Sequence, residues 1–174
     1  MTDPLSKDLI SFSLSGKAAF FANAIDTESK GLDVVINHKA TVNNTRIKTD
    51  LSGSFSQTRQ VDDIHASQIL VNGEQLDRYF SESSRIFLED ATVNQKINLS
   101  NTISFAEWDV FFRNVYFGEV TSTTGQEFAS KIITDLSVAH HLSDSITFSV
   151  GANNIFDMYP DQNLEGNTSD GRFV

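Results

Sequence analysis

The stretch that decides the fold, residues 150–160, reads Val-Gly-Ala-Asn-Asn-Ile-Phe-Asp-Met-Tyr-Pro. It closes a run in which Ile146, Phe148 and Val150 alternate with small or polar residues. Successive side chains point to opposite faces of a strand, so this run predicts a β-strand with one apolar and one polar face. An Asn pair and an aromatic residue follow, and the Asp-to-Pro segment after them predicts a turn.

The same period of two recurs upstream, most clearly in residues 47–55 and 93–105. No comparable window sustains a helical spacing, so the chain is predicted to be all-β with antiparallel strands. We place the strands at about 9–14, 20–40, 45–59, 85–105, 108–121, 131–142 and 145–157.

Tight turns and long loops alternate along this prediction. Short connections fall at 42–45, 106–107 and 142–144, whereas longer joins cover 60–84, 122–130 and the tail after Pro160. Short turns on one rim and long loops on the other are typical of outer-membrane barrels.

Composition excludes several classes of protein. The 174 residues carry 13 Lys+Arg against 23 Asp+Glu, a net charge of −10, which disfavours nucleic acid as a partner. There is no cysteine, so disulfides and thiolate metal sites are excluded. Residues 1–20 show no signal-peptide pattern, and no apolar run is long enough for a membrane helix.

The strand pattern alone leaves two orientations open. A soluble lipocalin-like barrel or a β-sandwich would turn the apolar faces inward, whereas a membrane barrel would turn them outward to lipid. The charged strand residues fall opposite the aliphatic ones: Lys48, Asp50, Lys96, Asp109, Arg113, Glu119 and Asp135. Aromatic residues gather near strand ends: Phe20 and Phe21, Phe105 and Trp108, Phe156 and Tyr159. Both features favour lipid outside.

Three segments resemble the TonB-dependent receptors of the outer membrane of Gram-negative bacteria. They are residues 20–35, residues 113–120, and the Asn-Asn-Ile-Phe-Asp segment at 153–157 preceded by 134–137. The resemblance implies that residues 1–174 form about seven strands of a 22-stranded antiparallel transmembrane β-barrel. In that comparison the chain is the C-terminal portion of the barrel domain, without the plug domain and without the last strand.

The resemblance also implies a function. Such receptors take up a scarce ligand, most often a ferric siderophore or another iron complex, with energy delivered by the TonB complex through the plug. The expected partners are that complex, the ligand and outer-membrane lipid. No catalytic motif occurs, so neither an enzyme nor a cofactor is expected. The alternatives are a soluble lipocalin-like barrel that binds an apolar small molecule, and an ungated porin-like channel.

Two groups of candidate site residues follow. Asp109, Arg113 and Glu119 lie on the lumen face of one predicted strand and are candidates to face the plug. We expect Arg113 to pair with a plug carboxylate, or else to be solvated in the lumen.

Asp62, Asp63 and His65 lie in the longest predicted loop. They are candidates to contact the ligand or a cation, the alternative being a solvated loop. No metal site is predicted, because the neighbouring His140 and His141 point to opposite faces of a strand. Residues 161–172 begin like a calcium loop but end in Arg, so we interpret them as a polar loop.

Overall fold

The structure is a computed structural model that describes residues 25–65, 77 and 80–164. One α-helix, α1, spans Glu82–Glu89 in these ranges. The strands are β1 Thr27–Val42, β2 Thr45–Gln60, β3 Gln95–Phe105, β4 Trp108–Phe117, β5 Val120–Thr121, β6 Glu127–Phe128, β7 Lys131–Ser143 and β8 Ile146–Ala152. The prediction of a mostly β, antiparallel chain is confirmed.

Six strands form one antiparallel sheet in the order β1-β2-β3-β4-β7-β8, with the small β5–β6 hairpin inserted between β4 and β7. The described strands form an open sheet rather than a closed barrel, and β1 and β8 are its edges. The three tight turns join β1 to β2, β3 to β4 and β7 to β8, all on one rim, as predicted. In the first of them Asn43 has a φ of 53°, a left-handed conformation that Asn tolerates better than most residues.

The strand predicted at 85–105 is wrong in its first part, because α1 occupies residues 82–89. The Ser81 side chain accepts a hydrogen bond from the Ser84 N–H at 3.2 Å and so caps the helix N-terminus. Arg85 forms an ion pair with Glu82 one turn earlier. These local contacts favour the helix over an extended chain.

The predicted strand 108–121 is also too long. The Gly118 N–H donates to the Gln95 carbonyl at 2.8 Å, and residues 120–121 then pair with 127–128 instead of continuing β4. The predicted strand 9–14 and the start of the strand predicted at 20–40 lie outside the described residues.

The strand register assembles two continuous faces. The apolar face carries most of the large aliphatic and aromatic strand residues, among them Leu32, Ile36, Ile47, Leu51, Phe55, Ile97, Leu99, Ile103, Phe105, Trp108, Val110, Phe112, Tyr116, Leu136, Val138, Phe148 and Val150. The polar face carries Arg46, Lys48, Asp50, Lys96, Asn98, Ser100, Asp109, Arg113 and Asp135. The predicted separation of charges from aliphatics is therefore confirmed for every predicted charge that lies in a strand.

The apolar face has no cover among the described residues. Leu32 is 61% exposed, Phe148 64% and Val150 76%, and Phe128 is the only buried hydrophobic residue in the described ranges. Burying a side chain of this size contributes about 1.5–3 kcal/mol, so a sheet normally packs such a face against another apolar layer. No helix in the described part of the chain has the length and apolarity needed to cross a membrane.

Candidate functional site

The best-connected side chains of the polar face form a pair between β4 and β7. The register places Arg113 opposite Asp135. The Arg113 Nε donates to Asp135 Oδ2 at 2.8 Å, and its Nη2 donates to the same oxygen. Asp135 is 5% exposed, whereas the Arg113 side chain is 43% exposed. The chain itself thus supplies a carboxylate for Arg113, and a plug carboxylate as its partner stays a prediction.

The chain leaving β8 completes this pair. The Asn154 main-chain N–H donates to Asp135 Oδ1 at 2.8 Å, so both oxygens of the carboxylate are used. The Asn154 side chain then closes a loop on Met158: Oδ1 accepts from the Met158 N–H at 2.9 Å and Nδ2 donates to its carbonyl at 3.0 Å. Asn154 and Asp157 both have a positive φ, at 50° and 52°. The strand predicted at 145–157 is therefore too long, since β8 ends at Ala152 and the Asn-Asn-Ile-Phe-Asp segment is a turn that ties the outgoing chain to β7.

A second polar cluster lies near the short-turn rim. Asp109 Oδ2 lies 2.9 Å from His141 Nε2, and His141 Nδ1 lies 3.0 Å from Thr147 Oγ1. His140 points to the apolar face, where its ring stacks on Trp108 with centroids 4.2 Å apart. The two histidines thus lie on opposite faces, as predicted. The described residues contain no group of three His, Cys, Asp or Glu side chains able to hold a metal ion.

Glu119 lies apart from the other two candidates for facing the plug. It follows the end of β4, is exposed, and lines a polar cleft of about 250 Å³ with Asp90, Asn94 and Thr121. Asp109 and Arg113 share the polar face of β4 as predicted, but Glu119 does not, because β4 ends at Phe117.

Two adjoining cavities occupy the polar face toward the long-loop rim. One, of about 600 Å³, is lined by Lys96, Arg113 and Asp135 among other residues. The other, of about 370 Å³, is lined mainly by apolar side chains. Phe117 and Ile133 belong to the walls of both. The sequence predicted that Lys96, Arg113 and Asp135 lie on the polar faces of their strands. It contained no pattern that predicted a shared cavity for them.

An ion pair joins the tail to the rim of the apolar cavity. Lys131 Nζ lies 2.6 Å from Asp161 Oδ1, and the Ala129 N–H donates to Asp161 Oδ2 at 2.8 Å. The hydrogen bond from Lys131, and then that from Ala129, hold the pKa of Asp161 below its ordinary value. Asp161 is thus attached to the start of β7.

The predicted ligand-loop residues lie together beside the start of β1. His65 Nε2 lies 2.9 Å from Asp26 Oδ2, and this hydrogen bond raises the pKa of His65. The charges of Asp62 and Asp63 act in the same direction. Asp62 and Asp63 are exposed. The three predicted residues therefore lie close together, and the imidazole of His65 already has Asp26 as its carboxylate partner.

No protein-family model matches this chain, and no curated protein matches it significantly.

Proposed function

We propose that this chain is part of the transmembrane barrel of a TonB-dependent outer-membrane receptor, which takes up a scarce ligand such as a ferric siderophore or another iron complex. The observation that carries the proposal is the uncovered apolar face of the sheet, with aromatic side chains near its two ends. The polar face, with its charged and hydroxyl side chains, would line the lumen.

Aromatic side chains lie near both ends of the apolar face. At the short-turn rim one row runs across four strands through Phe105, Trp108, His140 and Phe148. Tyr116 marks the other end, and at about 3.4 Å per residue it lies about 27 Å from Trp108 along β4. Membrane barrels carry an outward apolar band about 25 Å tall between two aromatic girdles.

Charged residues replace the apolar ones beyond this band. On the same face, Gln57 pairs with Lys30 and Arg59 with Glu28. The 16 residues of β1 would extend about 53 Å, well beyond the roughly 30 Å hydrocarbon core of a bilayer. The charged end of the β1–β2 hairpin is thus suited to lie outside the membrane.

Polar groups within the apolar band bond to one another. The Thr49 hydroxyl donates to Asn101 Oδ1 and the Thr134 hydroxyl donates to Asn114 Oδ1, both at 2.7 Å. An unpaired polar group in hydrocarbon costs several kcal/mol, so these cross-strand pairs make the face compatible with lipid.

Trp108 offers a direct test because it is the only tryptophan in the sequence. We expect its fluorescence to be quenched strongly by brominated lipid chains when the protein is refolded into vesicles. The matched control is a W108F, F111W double variant, which moves the indole to the polar face, since Phe111 lies opposite Ser137. That variant should be quenched by aqueous iodide instead. A soluble lipocalin-like barrel would fold without lipid, and brominated lipid would then quench neither protein.

Uptake distinguishes a receptor from a porin-like channel. Cells that produce the protein containing this chain should accumulate radioactive iron from a ferric siderophore only when TonB is active. Accumulation that does not depend on TonB would favour the ungated channel. No accumulation of iron, whether TonB is active or not, would contradict the assignment to iron. The assignment to iron rests on the family resemblance.

A further inference from the structure

We propose that the two adjoining cavities of the polar face bind a compact aromatic anion, with the ring in the apolar cavity and the anionic group beside Lys96. This deepens the proposed function and rests on it, because in a receptor barrel this face lines the path of the ligand.

The apolar cavity has the size and lining of a small-molecule site. Its volume of about 370 Å³ lies within the range of about 300–1,000 Å³ found for ligand pockets. Its walls come from β4 to β7, from the segment before β3 and from the chain that follows β8, and include Phe117, Phe128, Ile133, Met158, Tyr159 and Pro160. Aromatic side chains on several sides favour a flat apolar group over a flexible one.

The neighbouring cavity supplies positive charge. Two cationic side chains, Lys96 and Arg113, and one anionic side chain, Asp135, contribute to its wall. This local excess of one positive charge stands against a net charge of −10 for the whole sequence. The charge of this wall therefore favours an anion, although the protein as a whole is acidic.

Lys96 is placed where the two cavities meet. Its Nζ lies 5.1 Å from the centre of the Phe117 ring, and Phe117 lines both cavities. Arg113 and Lys131 are each engaged with a carboxylate, whereas Lys96 forms no ion pair with any described residue. If the anionic group of a ligand binds beside Lys96, the aromatic ring of the same ligand lies next to Phe117.

The experiment compares two probes of nearly the same shape, naphthalene-1-sulfonate and neutral 1-naphthol. Each is titrated calorimetrically into the chain in neutral micelles, and titrations into empty micelles are subtracted. We expect the sulfonate to bind more tightly than the naphthol. Lys96→Gln should weaken sulfonate binding about threefold, the value of a partly exposed ion pair, and leave naphthol binding unchanged.

Two further variants complete the test. Lys39→Gln makes the same charge change on the same face, away from the cavities, and should alter neither affinity. Met158→Gln makes the apolar cavity polar and should weaken both probes; the bonds to Asn154 use the main chain of Met158 and are retained.

Three results would overturn the inference: equal affinity for the two probes, an equal effect of Lys96→Gln and Lys39→Gln, or no effect of Met158→Gln. Quenching of Trp108 by brominated lipid, measured on the same variants refolded into vesicles, reports on the membrane barrel independently. Failure of this site and failure of the proposed function are therefore distinguishable.

Discussion

Asp135 Oδ1 accepts a hydrogen bond from the main-chain N–H of Asn154 at 2.8 Å, and this contact joins the middle of β7 to the chain that has just left β8. The other carboxylate oxygen binds Arg113 of β4. One buried carboxylate thus links three consecutive segments of the sheet. The turn at 154–158 and the ion pair on the polar face therefore depend on each other.

Replacing Asp135 by Asn should destabilise the sheet. The amide keeps the shape but loses the charge that Arg113 and the Asn154 N–H both bind. We expect the free energy of unfolding in urea to fall by about 1–3 kcal/mol. Asp33→Asn, an exposed change on the same face, should cost less than about 0.5 kcal/mol. Equal losses would contradict the role of Asp135.

Asn154 should be sensitive to replacement for two separable reasons. Asn154→Gly keeps the positive φ accessible but loses both bonds to Met158, and should cost about 1 kcal/mol. Asn154→Ala adds left-handed strain of about 1 kcal/mol. Urea unfolding of the two variants should therefore rank Ala below Gly in stability. The reverse order would show that backbone conformation does not matter there.

Gly151 leaves no room for a side chain. A Cβ at this position would lie 2.6 Å from the Ser137 Cβ and 3.0 Å from the Leu136 carbonyl oxygen. Gly151→Ala should destabilise the β7–β8 pairing by about 1–3 kcal/mol, measured by urea unfolding. Adding Ser137→Gly removes the closest atom and should restore part of the loss. No recovery in the double variant would mean that the Leu136 carbonyl sets the limit.

Attachment of the tail should depend on pH through Asp161. Its pKa is lowered by Lys131, so the ion pair contributes stability above the ordinary carboxyl pKa of about 3.9. That contribution is lost as the pH falls through the lowered pKa. Carbon NMR of the carboxyl should show titration below the ordinary value, and Lys131→Gln should move the titration upward. An unchanged titration in the variant would contradict the pairing.

His65 should titrate in the opposite sense. The hydrogen bond that His65 donates to Asp26 raises the pKa of His65, so the pair contributes stability below the ordinary histidine pKa of about 6.5. The contribution disappears as the pH rises through the raised pKa. NMR titration should place the His65 midpoint above the ordinary value, and Asp26→Asn should lower it. Asp33→Asn serves as a control that leaves the midpoint in place.

Local sequence accounts for the elements that were predicted well and for one that was not. The Asn pair between β1 and β2 predicted a tight turn, because Asn accepts a left-handed conformation. The strand predicted from residue 85 was wrong, because the cap supplied by Ser81 and the pairing of Glu82 with Arg85 stabilise a helix. Both contacts join residues three positions apart, a spacing that is visible in the sequence.

The sequence by itself determined that each long strand has one apolar and one polar side, because alternation within a strand needs no knowledge of its neighbours. Tertiary structure alone decided which residues meet across strands. Arg113 and Asp135 are 22 positions apart and pair because β4 and β7 adopt one register. A slip of one residue in this register would move Asp135 to the apolar face. The register itself depends on the hydrogen bonds and side-chain contacts of the whole sheet.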